Sequence, residues 1–223
     1  MRMHRKSHLD ERLISCGEIL TLADLSDKNM SSAVQKKEYL NLPQIFKNDN
    51  PVHLEIGCGK GKFVIESAIA HPEVNFIAIE KVSNVIVTAC EEAAQLNLSN
   101  VHFINSSAEV LEKYFKENTF SRVYLNFSNP LPKMGYAKQR LTNPKFIEIY
   151  KRILKDGGEI WQKTDNEGFF DYSLESFQSC GFMLKDVCRD ITKQPVNGNI
   201  ITEHEQKFMD MGLPIFRLVA VKQ

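Results

Sequence analysis

The stretch Glu55-Ile56-Gly57-Cys58-Gly59-Lys60-Gly61-Lys62 carries three glycines at alternate positions with an acid just upstream. Glycines so placed permit a tight turn and close backbone approach to a ligand, and a following helix offers free N–H groups. Spacing separates the nucleotide ligands such a loop could serve. A dinucleotide turn reads G-x-G-x-x-G and a phosphate-gripping loop ends in G-K-[ST]; here the third glycine comes one residue early and Phe63 follows Lys62. Two carboxylates accompany the loop. Glu55 stands in an apolar run, where an ionised side chain costs several kcal/mol unless it is paired or faces a ligand. An edge strand with Glu55 in water is the alternative. Glu80 closes the run VNFIAI, where an acid can accept two hydrogen bonds from a ribose diol. Pairing with Lys81 is its competing role.

A second unusual segment is Asn126-Phe127-Ser128-Asn129-Pro130-Leu131-Pro132-Lys133. Its prolines fix φ and bias the residues before them away from helix, which builds a rigid wall for an acceptor atom. The plainer reading is an ordinary turn, with or without a cis bond. Asp165 or Asn166 can cap the helix after them, and Thr202-x-x-Glu205 has the form of a capping box. Taken alone, both read as caps.

These loops need elements to hold them. Apolar runs at 52–56, 74–79, 101–104 and 122–127 alternate with helical patterns at 63–70, 82–96 and 107–116, the rhythm of crossovers onto a parallel sheet. Asn143-Pro144 opens a helix with Phe146, Ile149, Tyr150, Ile153 and Leu154 on one stripe, and Gly157-Gly158 is expected to close it. A strand at 159–163, a helix bearing Phe170, Leu174 and Phe177, a strand at 182–188, a short helix at 203–211 and a strand at 214–221 follow. The expected fold is α/β with a doubly wound, mostly parallel sheet, its ligand beyond the carboxyl ends of the strands. Before residue 46 the pattern is weak: a short helix over 9–20, then polar surface over 26–37.

The 223 residues suit one domain. At 43% hydrophobic and 25% charged residues the chain has the composition of a packed protein rather than a disordered one. It has no run of eighteen apolar residues and no apolar leader, so a cytoplasmic protein without a membrane segment is expected. Cys16, Cys58, Cys90, Cys180 and Cys188 are scattered and read as free thiols, with no metal site. Lys plus Arg and Asp plus Glu both number 28, which predicts no overall field for a polyanion. Nucleic-acid binding would need a local patch: the head (Arg2, His4, Arg5, Lys6, His8) or the loop with Lys133, Lys138 and Arg140. A solvated charged arm is the plainer reading of each.

Alternate glycines behind an acid resemble the loop of S-adenosylmethionine enzymes. Five segments together resemble one family, the bacterial tRNA (guanine-N7-)-methyltransferases of the TrmB type. They are Glu55-Ile56-Gly57-x-Gly59-Lys60-Gly61; Tyr124-Leu125-Asn126-Phe127-Ser128 with x-Pro-x-Pro-Lys; Arg140-Leu141-Thr142; Lys163-Thr164-Asp165-Asn166; and Gly198-Asn199-Ile200-Ile201-Thr202-Glu203-x-Glu205-x-Lys207-Phe208. The resemblance implies a class I, Rossmann-like S-adenosylmethionine-dependent methyltransferase domain over 46–223, behind an N-terminal basic arm and poorly patterned segment over 1–45. It implies cofactor binding by Glu55, Gly57, Gly59, Gly61, Glu80, Ser107 and Asn129, with Asn129 at the catalytic position. The guanosine would meet Lys133, Asp165, Thr202, Glu203, His204 and Glu205. The implied substrate is the variable-loop guanosine 46 of tRNA, and the implied state a monomer or homodimer.

Three positions depart from the family's habit: Ser107 and Asn129 stand where acids are usual, and Leu131 where a tryptophan is. Met134-Gly135-Tyr136-Ala137 also dilutes a normally more basic loop. Guanine N7 carries a free lone pair, so its methylation needs alignment rather than a base, and alignment can supply about 7–11 kcal/mol. A carboxylate would favour the positive charge arriving on the purine, whereas Asn129 offers a dipole. Two alternatives stay open at this level. One is a tRNA-binding homologue with reduced or lost catalysis; the other is a methyltransferase for a small metabolite.

Overall fold

The computed structural model describes residues 4–22, 35–194, 196 and 198–223. In chain order these form α1 (Leu9–Ser15), β1 (Leu20–Leu22), α2 (Leu42–Phe46), β2 (Val52–Ile56), α3 (Lys62–Ala70), β3 (Asn75–Ile79), α4 (Ser83–Gln95), β4 (Val101–Asn105), α5 (Leu111–Tyr114) and β5 (Phe120–Asn126). Then come α6 (Pro144–Ile153), β6 (Leu154–Thr164), α7 (Glu167–Ser179), β7 (Phe182–Cys188), α8 (Glu203–Asp210) and β8 (Phe216–Lys222), with short 3-10 helices at Ala108–Val110 and Met134–Gln139.

Every residue of β3 and β4 is buried, as befits central strands covered on both faces. The strands lie in the order β1-β4-β3-β2-β5-β6-β8-β7. Pairings from β1 across to β6 are parallel, and β8 runs antiparallel to β6 and β7. The expected doubly wound, mostly parallel sheet is present. From β2 the chain steps one way through β3 to β4, and from β5 it steps the other way to β6. Between β2 and β5 the winding reverses, and a crevice opens at such a switch point.

One face of the sheet packs Phe146, Ile147, Tyr150 and Ile153 of α6 and Phe170 of α7 against Ile77, Val123 and Leu125. The other packs Phe63 and Val64 of α3, Ile86 and Val87 of α4, and Leu13 against Phe76 and Phe103. Each such side chain contributes about 1.5–3 kcal/mol by leaving water. Asn143 caps α6 as expected, its Oδ1 accepting from the Lys145 N–H at 3.2 Å with Pro144 next.

The end of α6 differs from expectation. The helix stops at Ile153, because Leu154 is fully buried and pairs with Phe120 as the first residue of β6. Gly157 and Gly158 lie inside β6, where the ladder to β5 shifts register between Phe120 and Arg122. A Cβ on Gly158 would stand 2.7 Å from the Lys155 carbonyl oxygen, so a close approach, not a helix cap, explains that glycine.

The head is also more engaged than its pattern suggested. Leu9 and Leu13 are buried, Arg12 forks onto Glu91 of α4 through two 2.6 Å bonds, and β1 extends the sheet beside β4. Arg5 pairs with Asp10, His8 with Glu11, and Lys6 reaches Asn84 and Thr88. Among the described residues Arg5 and His8 thus face acids, while Lys6 is tied to neutral side chains of α4. Arg2 and most of the polar stretch at 26–37 fall outside the described residues.

Candidate active site

At the switch point a cavity of about 470 Å³ is walled by the residues that follow four strands: Gly57 after β2, Glu80 after β3, Ser107 and Glu109 after β4, Asn129 after β5. The N–H groups of Gly57 and Cys58 both donate to the Ile79 carbonyl, at 2.7 and 3.1 Å, which straps the glycine loop to the end of β3. Gly57 has φ 80° with no atom within 4 Å of where a Cβ would be, so open space is left for a ligand. Gly61, at φ 89°, caps α3, and there a Cβ would lie 2.6 Å from that of Ala89.

Glu80 is held by the loop it serves. Its Oε1 accepts from the Val82 N–H at 2.9 Å and its Oε2 from the Gly59 N–H at 3.3 Å. Each oxygen keeps further acceptor capacity for a diol. Among the described residues it forms no ion pair with Lys81.

Glu55 is 2% exposed on β2, between β3 and β5, so the edge-strand alternative falls. Its Oε1 accepts from Asn126 Nδ2 at 3.0 Å, while Oε2 is buried with no partner. Burial pushes its pKa up to about 7, against the pull of the Asn126 hydrogen bond and the Lys163 charge. Asn126 lines the cavity and Glu55 stands behind it.

Ser107 lies 3.4 Å from Glu109 Oε2, and Glu109 also meets Lys145 at 3.2 Å. The cavity therefore does hold an acid on the β4 side, two residues after the position where the family's acid is missing. Neither Glu109 nor Asn126 was singled out from the sequence as a site residue. The offset hides Glu109, and Asn126 stood only as motif text.

In the Pro-rich loop, Phe127 (φ 49°) and Leu131 (φ 44°) take left-handed backbone, a strain of about 1–3 kcal/mol each that surrounding contacts must hold. Asn129 Oδ1 accepts from the Leu131 N–H at 3.2 Å. Arg140 donates to the Leu131 carbonyl at 3.2 and 3.4 Å and stacks at 4.4 Å on Tyr172. Buried there, Arg140 braces the loop and is not an open phosphate contact; Lys133 and Lys138 are exposed.

The remaining predicted residues separate into two groups. Asn166 does the capping of α7, taking the Phe169 N–H at 2.8 Å, and Asp165 is exposed with no side-chain partner among the described residues. Thr202 and Glu205 form the capping box of α8. Glu205 is fully buried and also binds Lys163 and Asn199. The side chains of both, expected at the substrate, are thus engaged within the protein. Glu203 and His204 are exposed. Glu203 pairs with Lys60 of the glycine loop at 3.0 Å, and the His204 ring stacks on Phe127 with centroids 5.9 Å apart. The start of α8 thus bridges the two loops that wall the cavity.

Residues 49–218 match a protein family described as "Putative methyltransferase". Among solved structures, the 16S rRNA methyltransferase KamB superposes with a TM-score of 0.63 at 12% identity, covering 84% of this chain and 95% of that one. The antibiotic-resistance methyltransferase Kmr gives 0.57 at 18% identity, covering 82% and 92%; both likenesses are of fold. The family match, the sheet order and the glycine loop together define a class I S-adenosylmethionine-dependent methyltransferase. A tRNA (guanine-N(7)-)-methyltransferase of Listeria monocytogenes serotype 4b (strain F2365) is 45% identical over 79% of this chain and 83% of its own length. One from Clostridioides difficile (strain 630) is 39% identical over the full length of both. The chain belongs to the tRNA (guanine-N7-)-methyltransferase family.

Proposed function

We propose that the protein methylates N7 of guanosine 46 in the variable loop of tRNA, working in the cytoplasm as a monomer or homodimer. The observation that carries this reading is the cavity at the switch point, whose charged lining is two acids, Glu80 and Glu109, against one Lys81. Carboxylate oxygens in the wall suit a sulfonium and a ribose diol, and the buried unpartnered Glu55 oxygen marks a polar group in want of a partner. The residues present therefore fit S-adenosylmethionine. When bound, this cofactor supplies a methyl carbon made electrophilic by the sulfonium.

The chain's own groups bind and align. Gly57, Gly59 and Gly61 shape the turn, Glu80 accepts the ribose hydroxyls, Ser107 with Glu109 faces the adenine side, and Glu55 acts through Asn126. Lys133, Asp165, Glu203 and His204 ring the acceptor side. Thr202 and Glu205 hold that segment in place. No group is needed to take a proton from N7, so the wall formed by Asn129 and its strained loop serves to set the line of attack. Replacing guanosine 46 by 7-deazaguanosine, which lacks the nucleophilic nitrogen, should abolish methyl acceptance while leaving tRNA affinity intact. Continued methylation of that tRNA would overturn the assignment of the atom.

A further inference from the structure

A second cavity, of about 230 Å³, shares Asn126 with the first. Its charged lining is Arg122, Lys163 and Arg217, with no aspartate or glutamate. Two of the cations have acids behind them: Arg122 meets Glu159 at 3.0 Å and Lys163 meets Glu205. Arg217 differs. It is 5% exposed and, among the described residues, makes no side-chain hydrogen bond or ion pair; its guanidinium rests on Trp161 at 4.6 Å. Asp186 and Glu159 reach it only through space. Arg122, at 4.1 Å on the same indole, has a buried Nε with no acceptor. Lys163 and Arg217 also sit directly opposite each other in the β6–β8 ladder, a like-charge pairing that destabilises a sheet. Unmatched donors, an excess of positive charge and a cross-strand repulsion all ask for an anion, and the planar guanidinium fork matches phosphate oxygens.

We propose that this cavity is a phosphate site in which Arg217 and Arg122 hold the oxyanion. The phosphate comes from the RNA backbone or from free phosphate. The RNA source rests on the tRNA reading above; the site's chemistry does not. Asn199 and Ile200 wall the cavity and lead straight into Thr202 and the exposed start of α8, so an anion here would sit beside the segment that bridges both loops of the active site.

The test uses the full chain as wild type, R217Q, R217K and R122Q. Inorganic phosphate is titrated by phosphorus NMR, and tRNA affinity is measured over a range of salt with S-adenosylhomocysteine present. Wild type should bind phosphate saturably and R217Q should not, with the tRNA salt slope lower by about one in R217Q and partly restored in R217K. Should R217Q not fold, R122Q gives the same readout, loss of phosphate binding with a lower salt slope. Phosphate binding with an unaltered salt slope supports the site with free phosphate as the source. A wild type that binds phosphate but not tRNA keeps the site and sinks the tRNA reading. Phosphate binding and salt slope both indifferent to Arg217 and Arg122 would overturn the proposal.

Discussion

Glu55 is the side chain whose chemistry is most altered by its surroundings. Burial holds it at about 7, above the 4.5 of a free carboxyl, so the folded chain retains its proton where the unfolded chain has lost it. The resulting stability is full below pH 4.5 and is lost as pH rises through about 7, a swing of roughly 3 kcal/mol. Glu55→Gln should flatten that slope in denaturant titrations on either side of the window; a variant that still follows the parent would place the slope elsewhere. Glu80→Gln keeps an acceptor but loses the charge, and cofactor affinity should fall about 10- to 100-fold by calorimetry, the scale of a charge-assisted hydrogen bond. Asn129→Asp should raise the single-turnover rate by about tenfold, or ~1.4 kcal/mol of barrier. An unchanged rate would remove position 129 from the charge-stabilising role.

Among the elements, the turn into α3 is the most tightly specified. Gly61→Ala forces a Cβ to 2.6 Å from Ala89 at φ 89°, and a loss of about 2–4 kcal/mol is expected by thermal unfolding. Adding Ala89→Gly should recover part of it; no recovery would mean that backbone strain, not the clash with α4, is the cause. The sequence made most elements legible because the central parallel strands are mostly apolar and the helices between them are striped. β1 was not legible: three residues carry no period, and Leu20–Leu22 is a strand only because β4 offers an edge. Nor was the role of Gly157-Gly158, since a glycine pair that ends a helix and one that permits a register shift look alike in text. At the site, the glycine turn and the place of Glu80 just beyond β3 were readable from spacing. The inward use of Glu205 was not, because the Lys163 that pairs with it arrives from β6, far back in the chain.

The whole molecule carries no net charge, so affinity for a polyanion has to be concentrated on particular faces. Replacing exposed Lys133 and Lys138 with Ala should weaken tRNA binding and lower its salt slope by about one for each phosphate these lysines neutralise. Arg140→Ala should instead slow methyl transfer through the loop it braces, leaving the slope nearly unaltered. Cofactor cavity, bracing loop and bridging α8 converge on one reaction. Incubation with methyl-labelled S-adenosylmethionine and unmodified tRNA, followed by digestion and nucleoside analysis, tests that convergence most directly. The account predicts that the label appears as 7-methylguanosine, and label in another nucleoside, or cofactor binding with no transfer at all, would contradict it.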